Sequence, residues 1–446
     1  MNTAIHPTIE KFNISNIKPI SFGETENLDV NWLREVCLAA GADDVGFVSV
    51  SHPDLAPDLA EIEKYTPWAK SLIGFVCKMN REPIRTPARS IANLEFHHTG
   101  DHVNEVAREI VSALEAKGIR AINPSMGFPM EMDEFPGKLW VISHKLVAQA
   151  AGLGKIGIHR NVIHPKFGNF ILLGTVITDV EITEYSKEID YNPCLECKLC
   201  VSACPVGAIK SDGGFDFSAC YTHNYKEFMG GFTNWAEDIA DSKNARQYRD
   251  KVNDSESASV WQSLSFGANY KAAYCLSVCP AGEDVIGPFL AKRSDFVKQV
   301  VKPLQAKEEP IYVVPNSDAQ AHVKKRFPHK TIHFARNSLR PNDLDGFLHG
   351  LGLLFQRGQA KGMDVVYHFH FSGEEDRQVT ITIKNQTLTV EAGHQGKADL
   401  VVHADTRSWI NFIRKETHIV SALVRRKIRI KGNPKLLLAF GKCFLA

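Results

Sequence analysis

Between residues 29 and 179 the spacing of hydrophobic positions switches repeatedly between two periods. After Asp29, the residues Trp32, Leu33, Val36 and Ala40 recur at helical spacing, and Gly41 can end the helix. VGFVSV (45–50) and SLIGFVCKM (71–79) are short continuous apolar runs and read as buried strands. VNEVAREIVSALEAKG (103–118) sets Val103, Val106, Ile110, Val111 and Leu114 on one helical face, with Gly118 as the stop. LWVISHKLVAQAAGLG (139–154) predicts another helix ending in glycines, and NFILLGTVITD (169–179) another strand. The mixture predicts one α/β core over 28–188, after a polar tail at 1–27 with little periodicity.

The pattern changes near residue 343. VTITIKNQTLTVE (379–391) alternates strictly, with Val379, Ile381 and Ile383 on one face and a tight Asn385-Gln386 turn before Leu388 and Val390. That is a half-buried hairpin. DVVYHFHF (364–371) and ADLVVHA (398–404) add strands; RSWINFIRK predicts a helix, IRIKG a strand, and Pro434 opens a last helix. Residues 343–446 therefore read as an α+β domain. Residues 301–342 form a connector with strand–helix–strand flavour (IYVVP, AHVKKRF, TIHFA), and 241–257 is a polar insertion on the surface.

Composition adds limits. The chain has 446 residues and a formal net charge of +1. Such a balance gives no whole-protein field for nucleic acid. No transmembrane segment is expected, because no run of about 18 apolar residues occurs. No signal peptide is expected either, so the expected location is cytoplasmic.

The cysteines change the picture most. Of 10, seven fall between 194 and 279, while Cys37, Cys77 and Cys443 stand alone. Clustering of this kind in a long chain points to metal rather than to disulfides. Residues 194–205 read CLECKLCVSACP, a C-x2-C-x2-C-x3-C-P run from Cys194, Cys197, Cys200 and Cys204 to Pro205. This order suits a cubane cluster, in which the cysteine before proline serves the other cluster of a pair. By that rule cluster one, a 4Fe–4S centre, takes Cys194, Cys197, Cys200 and the distal Cys279. Cluster two takes Cys204 and Cys275, with Cys220 the nearest spare thiol. These residues form a 189–300 ferredoxin-like domain. Position 272, where an eighth cysteine would stand, is Ala272. Three readings follow: a 3Fe–4S cluster; a 4Fe–4S cluster with His223 or water as fourth ligand; or a fourth thiol from Cys37, Cys77 or Cys443.

The run AAGLGKIGIHRNVIHPKFGNFILLGTVITD (150–179), followed by the cluster signature and Cys220, resembles the catalytic half of epoxyqueuosine reductases and the related reductive dehalogenases. The resemblance covers roughly 30–290. It implies a nitroreductase-like α/β core holding cobalamin, fed with electrons by a two-cluster ferredoxin-like domain, with a ferredoxin- or flavodoxin-type donor; FMN is a lesser alternative. The family's acidic general acid falls at Lys138 in this chain, with Asp133 and Glu134 nearby, so that acid does not carry over. The family's tRNA-binding helical repeats have no counterpart, so neither tRNA nor other nucleic acid is expected as a partner. Residues 343–446 resemble the sterol carrier protein 2 family through GKADLVVHAD (396–405) and RRKIRIKGNPKLLLAFGKCF (425–444), which implies an apolar site for a lipid or other hydrophobic small molecule.

GLGKIG (152–157) fits G-x-G-x-x-G but follows a helix rather than a strand, which argues against a dinucleotide site. In the resembling families this loop lies by the corrin, so Gly154, Gly157 and Asn161 are candidate cofactor contacts. HHTGDH (97–102) reads as helix surface, with His102 a candidate for the catalytic pocket beside Lys138 and Asp133. PSMGFPMEMDEFPGK (124–138) reads equally as a pocket wall or a packed loop. His368 and His370, and the basic run from Arg425 to Lys431, read as solvated faces.

Overall fold

In the computed structural model, residues 6–14, 22, 27–135 and 139–444 are described. The N-terminal sheet has the order Asp44–Ser49, Ser71–Lys78, Ile171–Thr178, Ala121–Ile122, every neighbouring pair antiparallel. Both of its faces are covered, which explains why its strands read as unbroken apolar runs. Phe47, Ile73, Phe75, Cys77 and Val176 pack against Val103, Val106, Ile110 and Leu114. On the opposite face Val48, Leu72, Val76 and Ile177 pack against Val147, Ala148, Ala151 and Leu153. Successive strand side chains point to opposite faces, so the two sets alternate along each strand.

Two helices depart from expectation. The helix expected over 103–118 is the C-terminal part of one running Arg89–Glu115. Its polar first half, including HHTGDH, is held by tertiary contacts: Asn93 Nδ2 donates to Asn269 Oδ1 at 2.6 Å, and His97 Nε2 lies 2.7 Å from the Ala268 carbonyl. The helix expected over 139–154 is only His144–Ala150. Leu139 and Ile142 are buried without being helical, so their apolar spacing reflects packing of an irregular segment.

The cysteine-bearing region packs on the connector. Cys200, Cys204, Ala272 and Tyr274 share a core with Val301, Leu304, Ile311, Val313, Val323 and Phe327. The connector pairs Pro310–Val313 with Thr331–Phe334 in parallel, joined through the helix Asp318–Arg326. The polar insertion forms the helices Ala245–Lys251 and Asp254–Phe266, the second opened by a capping box between Asn253 and Glu256.

The C-terminal sheet runs Thr387–Ala392, Arg377–Lys384, Asp364–Ser372, Leu400–Asp405, Ile428–Gly432. Its central pair, Asp364–Ser372 with Leu400–Asp405, is parallel. Asn385 and Gln386 both have positive φ, 52° and 59°, as a two-residue hairpin turn of the primed kind requires. Tyr367, Phe369 and Phe371 face the core with Trp409 and Phe440. His370 is half-buried beside them on the other face, but His368 is buried there, stacked on His394 at 4.4 Å, rather than solvated. Among the described residues no helix is long and apolar enough to cross a membrane.

Candidate functional site

Two short helices present the cysteine sulfurs. Leu199–Ala203 starts after Lys198 in left-handed conformation (φ 60°), and Tyr274–Ser277 starts after Ala273 in the same conformation (φ 53°). Left-handed residues other than glycine are uncommon, so their recurrence marks one turn built twice. Aligning the turns pairs Cys197 with Ala272, Cys200 with Cys275 and Cys204 with Cys279. Ala272 thus occupies a ligand position in a ligand-shaped turn. Its amide donates to Asn224 Oδ1 at 3.0 Å, which ties the turn to the end of the Phe217–Asn224 helix that carries Cys220.

The sulfurs fall into two groups. Cys194, Cys197, Cys200 and Cys279 line one small cavity together with His159 and Pro280. Cys204, Cys220 and Cys275 form the other group, close enough to act on one another electrostatically. Around one tetrahedral zinc, with Zn–S about 2.3 Å, thiolates would sit roughly 3.8 Å apart. No three of these sulfurs come within 4.8 Å of one another; the described residues that meet that spacing are His52, Asp54 and Glu188. An all-thiol donor set in this C-x2-C-x2-C-x3-C-P order is that of an iron–sulfur cluster.

Burial pushes the Cys275 thiol up to about 11 and the Cys279 thiol up to about 12. Cys200, Cys204 and Cys220 are raised by the same cause. Thiols this crowded and desolvated stay protonated unless a cation compensates, so metal entry here releases protons. Two buried guanidinium groups stand close by. Arg85 lies over the rings of Phe170 and Phe296 at 5.2 and 5.4 Å and acts electrostatically on Cys279. Arg89 lies 5.4 Å from the Tyr274 ring centre and acts on Cys275.

The isolated cysteines are accounted for elsewhere. Cys37 and Cys77 lie in the core of the N-terminal sheet, and Cys443 contacts Met363 in the C-terminal core. All three are fully buried small apolar groups, so none completes cluster two. His223 is also buried, and its Nδ1 accepts the Tyr312 amide at 3.3 Å. A neutral imidazole that accepts at Nδ1 carries its proton on Nε2. A protonated Nε2 offers iron no lone pair, and this buried nitrogen has no hydrogen-bond partner among the described residues.

Polar side chains stand beside the second group of thiols. Asn161 Nδ2 donates toward Cys275 Sγ at 3.9 Å. Lys145 Nζ donates to Arg160 O at 2.8 Å and to Asn161 Oδ1 at 3.3 Å, and it feels both Cys275 and Cys220. Lys145 is exposed to solvent, with protein packed around the stem of its side chain. Burial lowers its pKa. Tyr225, beside Cys220, stands 5.8 Å from Tyr270, and Tyr270 stacks on toward Phe96 and Phe228, each at 5.0 Å.

The remaining candidates are scattered. A side chain at Gly154 would strike the Ile163 carbonyl at 2.5 Å, and one at Gly157 would strike Ile163 Cδ1 at 2.7 Å. Their lack of a side chain is thus explained by the hairpin of 155–156 with 162–163. His102 Nε2 lies 3.2 Å from the Gly41 carbonyl, at the end of the Val30–Ala39 helix. Asp133 is exposed, Glu134 pairs with Lys64 at 3.0 Å, and Lys138 lies outside the described residues. Sequence reasoning missed Lys145, Tyr225 and Tyr270, which carry no spacing signal; Lys145 reads as the polar face of a helix.

Comparison with known proteins places these parts. Residues 187–210 match the 4Fe-4S binding domain, and residues 355–444 match the SCP-2 sterol transfer family. The chain is 33% identical over 118 residues to the epoxyqueuosine reductase of Cellulophaga algicola, covering 24% of this chain and 38% of that protein. It is 25% identical over 259 residues to that of Bacillus cereus, covering 55% and 59%. The chain therefore spans well under two thirds of the length of these curated relatives. A crystal structure of epoxyqueuosine reductase with an epoxyqueuosine-modified tRNA stem loop is similar at 20% identity and TM-score 0.32, over 43% of this chain and 56% of that one. The chain joins a region similar to epoxyqueuosine reductases, with a 4Fe-4S binding domain, to a C-terminal domain of SCP-2 sterol transfer type.

Proposed function

We propose that the chain is an iron–sulfur reductase passing single electrons from a low-potential donor, through cluster one and then cluster two, to an acceptor beside Lys145. The observation that carries this reading is the division of seven cysteines into two groups, the second lying next to Lys145 and Asn161. The loop of cluster one reaches the surface at Leu195, which is 44% exposed, so a ferredoxin- or flavodoxin-type donor has access there.

The resemblance implies a corrinoid as the core cofactor, which when bound supplies reductive cleavage of an activated bond. Lys145, Asn161, Tyr225 and Tyr270 are the residues that would hold it. The fit rests on the Tyr225–Tyr270 ring pair beside Cys220 and on the exposed Lys145 head group. Lys145 itself, with its pKa lowered by burial, is suited to give up a proton to a reduced product beside it. Asn161 fixes the Lys145 head group, and the Tyr225–Tyr270 pair excludes water from that side. The hydrophobic substrate is the part of the reading supported by the SCP-2 type domain. Ala272 favours a second reading, in which an open iron of cluster two meets the substrate directly and no corrinoid takes part.

Equilibrium dialysis of the anaerobically prepared full chain against hydroxocobalamin separates the two. The first reading expects saturable binding, weakened about tenfold or more by Lys145→Gln. Absence of binding overturns the corrinoid and leaves the open-iron reading. The same dialysis with a tRNA stem loop tests for the substrate of the named relatives, and tight binding there would replace the hydrophobic substrate.

A further inference from the structure

The short helix Arg81–Arg85 packs on the helix Tyr274–Ser277, which follows the left-handed turn at Ala273 and carries Cys275. Ser277 Oγ donates to the Ile84 carbonyl at 2.7 Å and pins the two together. Arg85 is thereby held where it acts electrostatically on Cys279 of the first thiol group. Its surroundings do not suit a cation. The rings of Phe170 and Phe296 lie 5.2 and 5.4 Å from the guanidinium carbon. They offset part of the desolvation, but Nε and Nη2 are buried and have no hydrogen-bond partner. Nη1 reaches Glu82 only at 3.6 Å, too far for a hydrogen bond, and the Glu82 side chain is 85% exposed, so water screens that pair.

We propose that Arg85 is the counter-ion of cluster one: a cation the chain leaves uncompensated until that cluster is assembled, and one that raises the cluster's reduction potential afterwards. A guanidinium cannot shed its proton to escape burial. Buried charge without a close partner is costly, and buried N–H groups are seldom left without an acceptor. Cysteine ligands become thiolates as they take up metal, and an assembled cluster is a net anion whose sulfurs accept hydrogen bonds. It supplies both things that Arg85 lacks. Reduction adds a further negative charge beside a fixed positive one, so the same guanidinium favours the reduced state.

Arg89, on the next helix, is satisfied differently. Its Nη1 donates to the carbonyls of Ile84 and Thr86 at 3.3 and 3.1 Å, so the backbone takes up part of its hydrogen-bonding capacity. The inference rests on the reading of Cys194, Cys197, Cys200 and Cys279 as the ligands of one cluster. It adds a residue outside the cysteine motif that sets how readily that cluster accepts an electron from the donor.

The test is an EPR-monitored redox titration of the anaerobically prepared full chain, with iron analysis, in wild type, Arg85→Met and Arg85→Lys. Methionine keeps a long apolar chain between the two rings, and lysine keeps the charge. Arg85→Met is expected to lower the potential of cluster one by about 59 mV, a tenfold change for one electron. Arg85→Lys should shift the same equilibrium less than threefold. In the full chain stripped of iron with a chelator, Arg85→Met should melt no lower than wild type, since it removes a charge that has no compensation there. Folded Arg85→Met that takes up no iron at cluster one, while Arg85→Lys does, also supports the counter-ion. An unchanged potential in Arg85→Met, equal shifts in both variants, loss of iron from both, or a lower melting temperature of iron-free Arg85→Met overturns it and leaves the reductase reading standing. A wild-type chain that holds no iron at these cysteines overturns both.

Discussion

At the scale of single residues, the account turns on which side chains stand beside the thiols. Arg89 is half-buried and acts electrostatically on Tyr274, Glu309 and Cys275. A fixed positive charge there stabilises the reduced, more negative state of a cluster. Arg89→Leu is therefore expected to lower the reduction potential of cluster two by about 60 mV, the equivalent of a tenfold change for one electron, in an EPR-monitored redox titration. An unchanged potential would show that the guanidinium is only structural. His223 gives a second expectation. Burial holds its pKa at about 4 against the ordinary 6.5. The unfolded chain then takes up the proton first as pH falls, so the stability contributed by the neutral ring is whole above about pH 6.5 and is lost toward pH 4. The slope is about 1.4 kcal/mol per pH unit. Between pH 7.5 and pH 5 wild type should lose about 2 kcal/mol more than His223→Asn in urea unfolding. Equal losses would mean the ring is not neutral and free.

The 4Fe-4S binding segment was legible in the sequence because cluster ligation imposes fixed spacings. Lys145, Arg85 and Arg89 were not. Their roles come from burial next to thiols distant in the chain, and nothing local distinguishes them from surface cations.

At the scale of elements, two contacts hold the second cysteine segment in place. Gly168 has φ +64°, and a side chain there would meet the Ala281 carbonyl at 1.9 Å; Gly282 presses back on the Gly168 amide. This close approach docks the residues after Cys279 on the N-terminal core, and Gly168→Ala should lower thermal stability while reducing iron content. The other contact is the Lys330–Glu309 pair at 2.6 Å, with Lys330 only 1% exposed and Tyr274 donating to Glu309 at 2.7 Å. It anchors the connector to the turn that carries Cys275. Lys330→Met leaves the carboxylate with Lys307 alone and should cost about 3 kcal/mol in denaturant unfolding. The hairpin at Asn385-Gln386 was readable because turn chemistry and alternation are local. The first half of the Arg89–Glu115 helix was not, because its polar face is paid for by Asn269 and Ala268 from another region. The segment 139–143 misled for the converse reason, since it buries apolar residues without helical hydrogen bonds.

At the scale of the molecule, the cysteine-bearing region and the C-terminal domain are joined by more than a linker. One helix, Phe217–Asn224, sets Cys220 beside Cys204 and Cys275 and Tyr221 in the C-terminal core. The connector, whose role the sequence left unassigned, covers the cysteine-bearing core. The most direct test of the whole account is iron and sulfide analysis with EPR on the anaerobically purified full chain, in wild type and in Ala272→Cys. Two clusters with one open position predict about seven or eight irons per chain, no zinc, and a signal from the second cluster that the Ala272→Cys change converts. Bound zinc, a single four-iron cluster, or identical spectra before and after the substitution would contradict it.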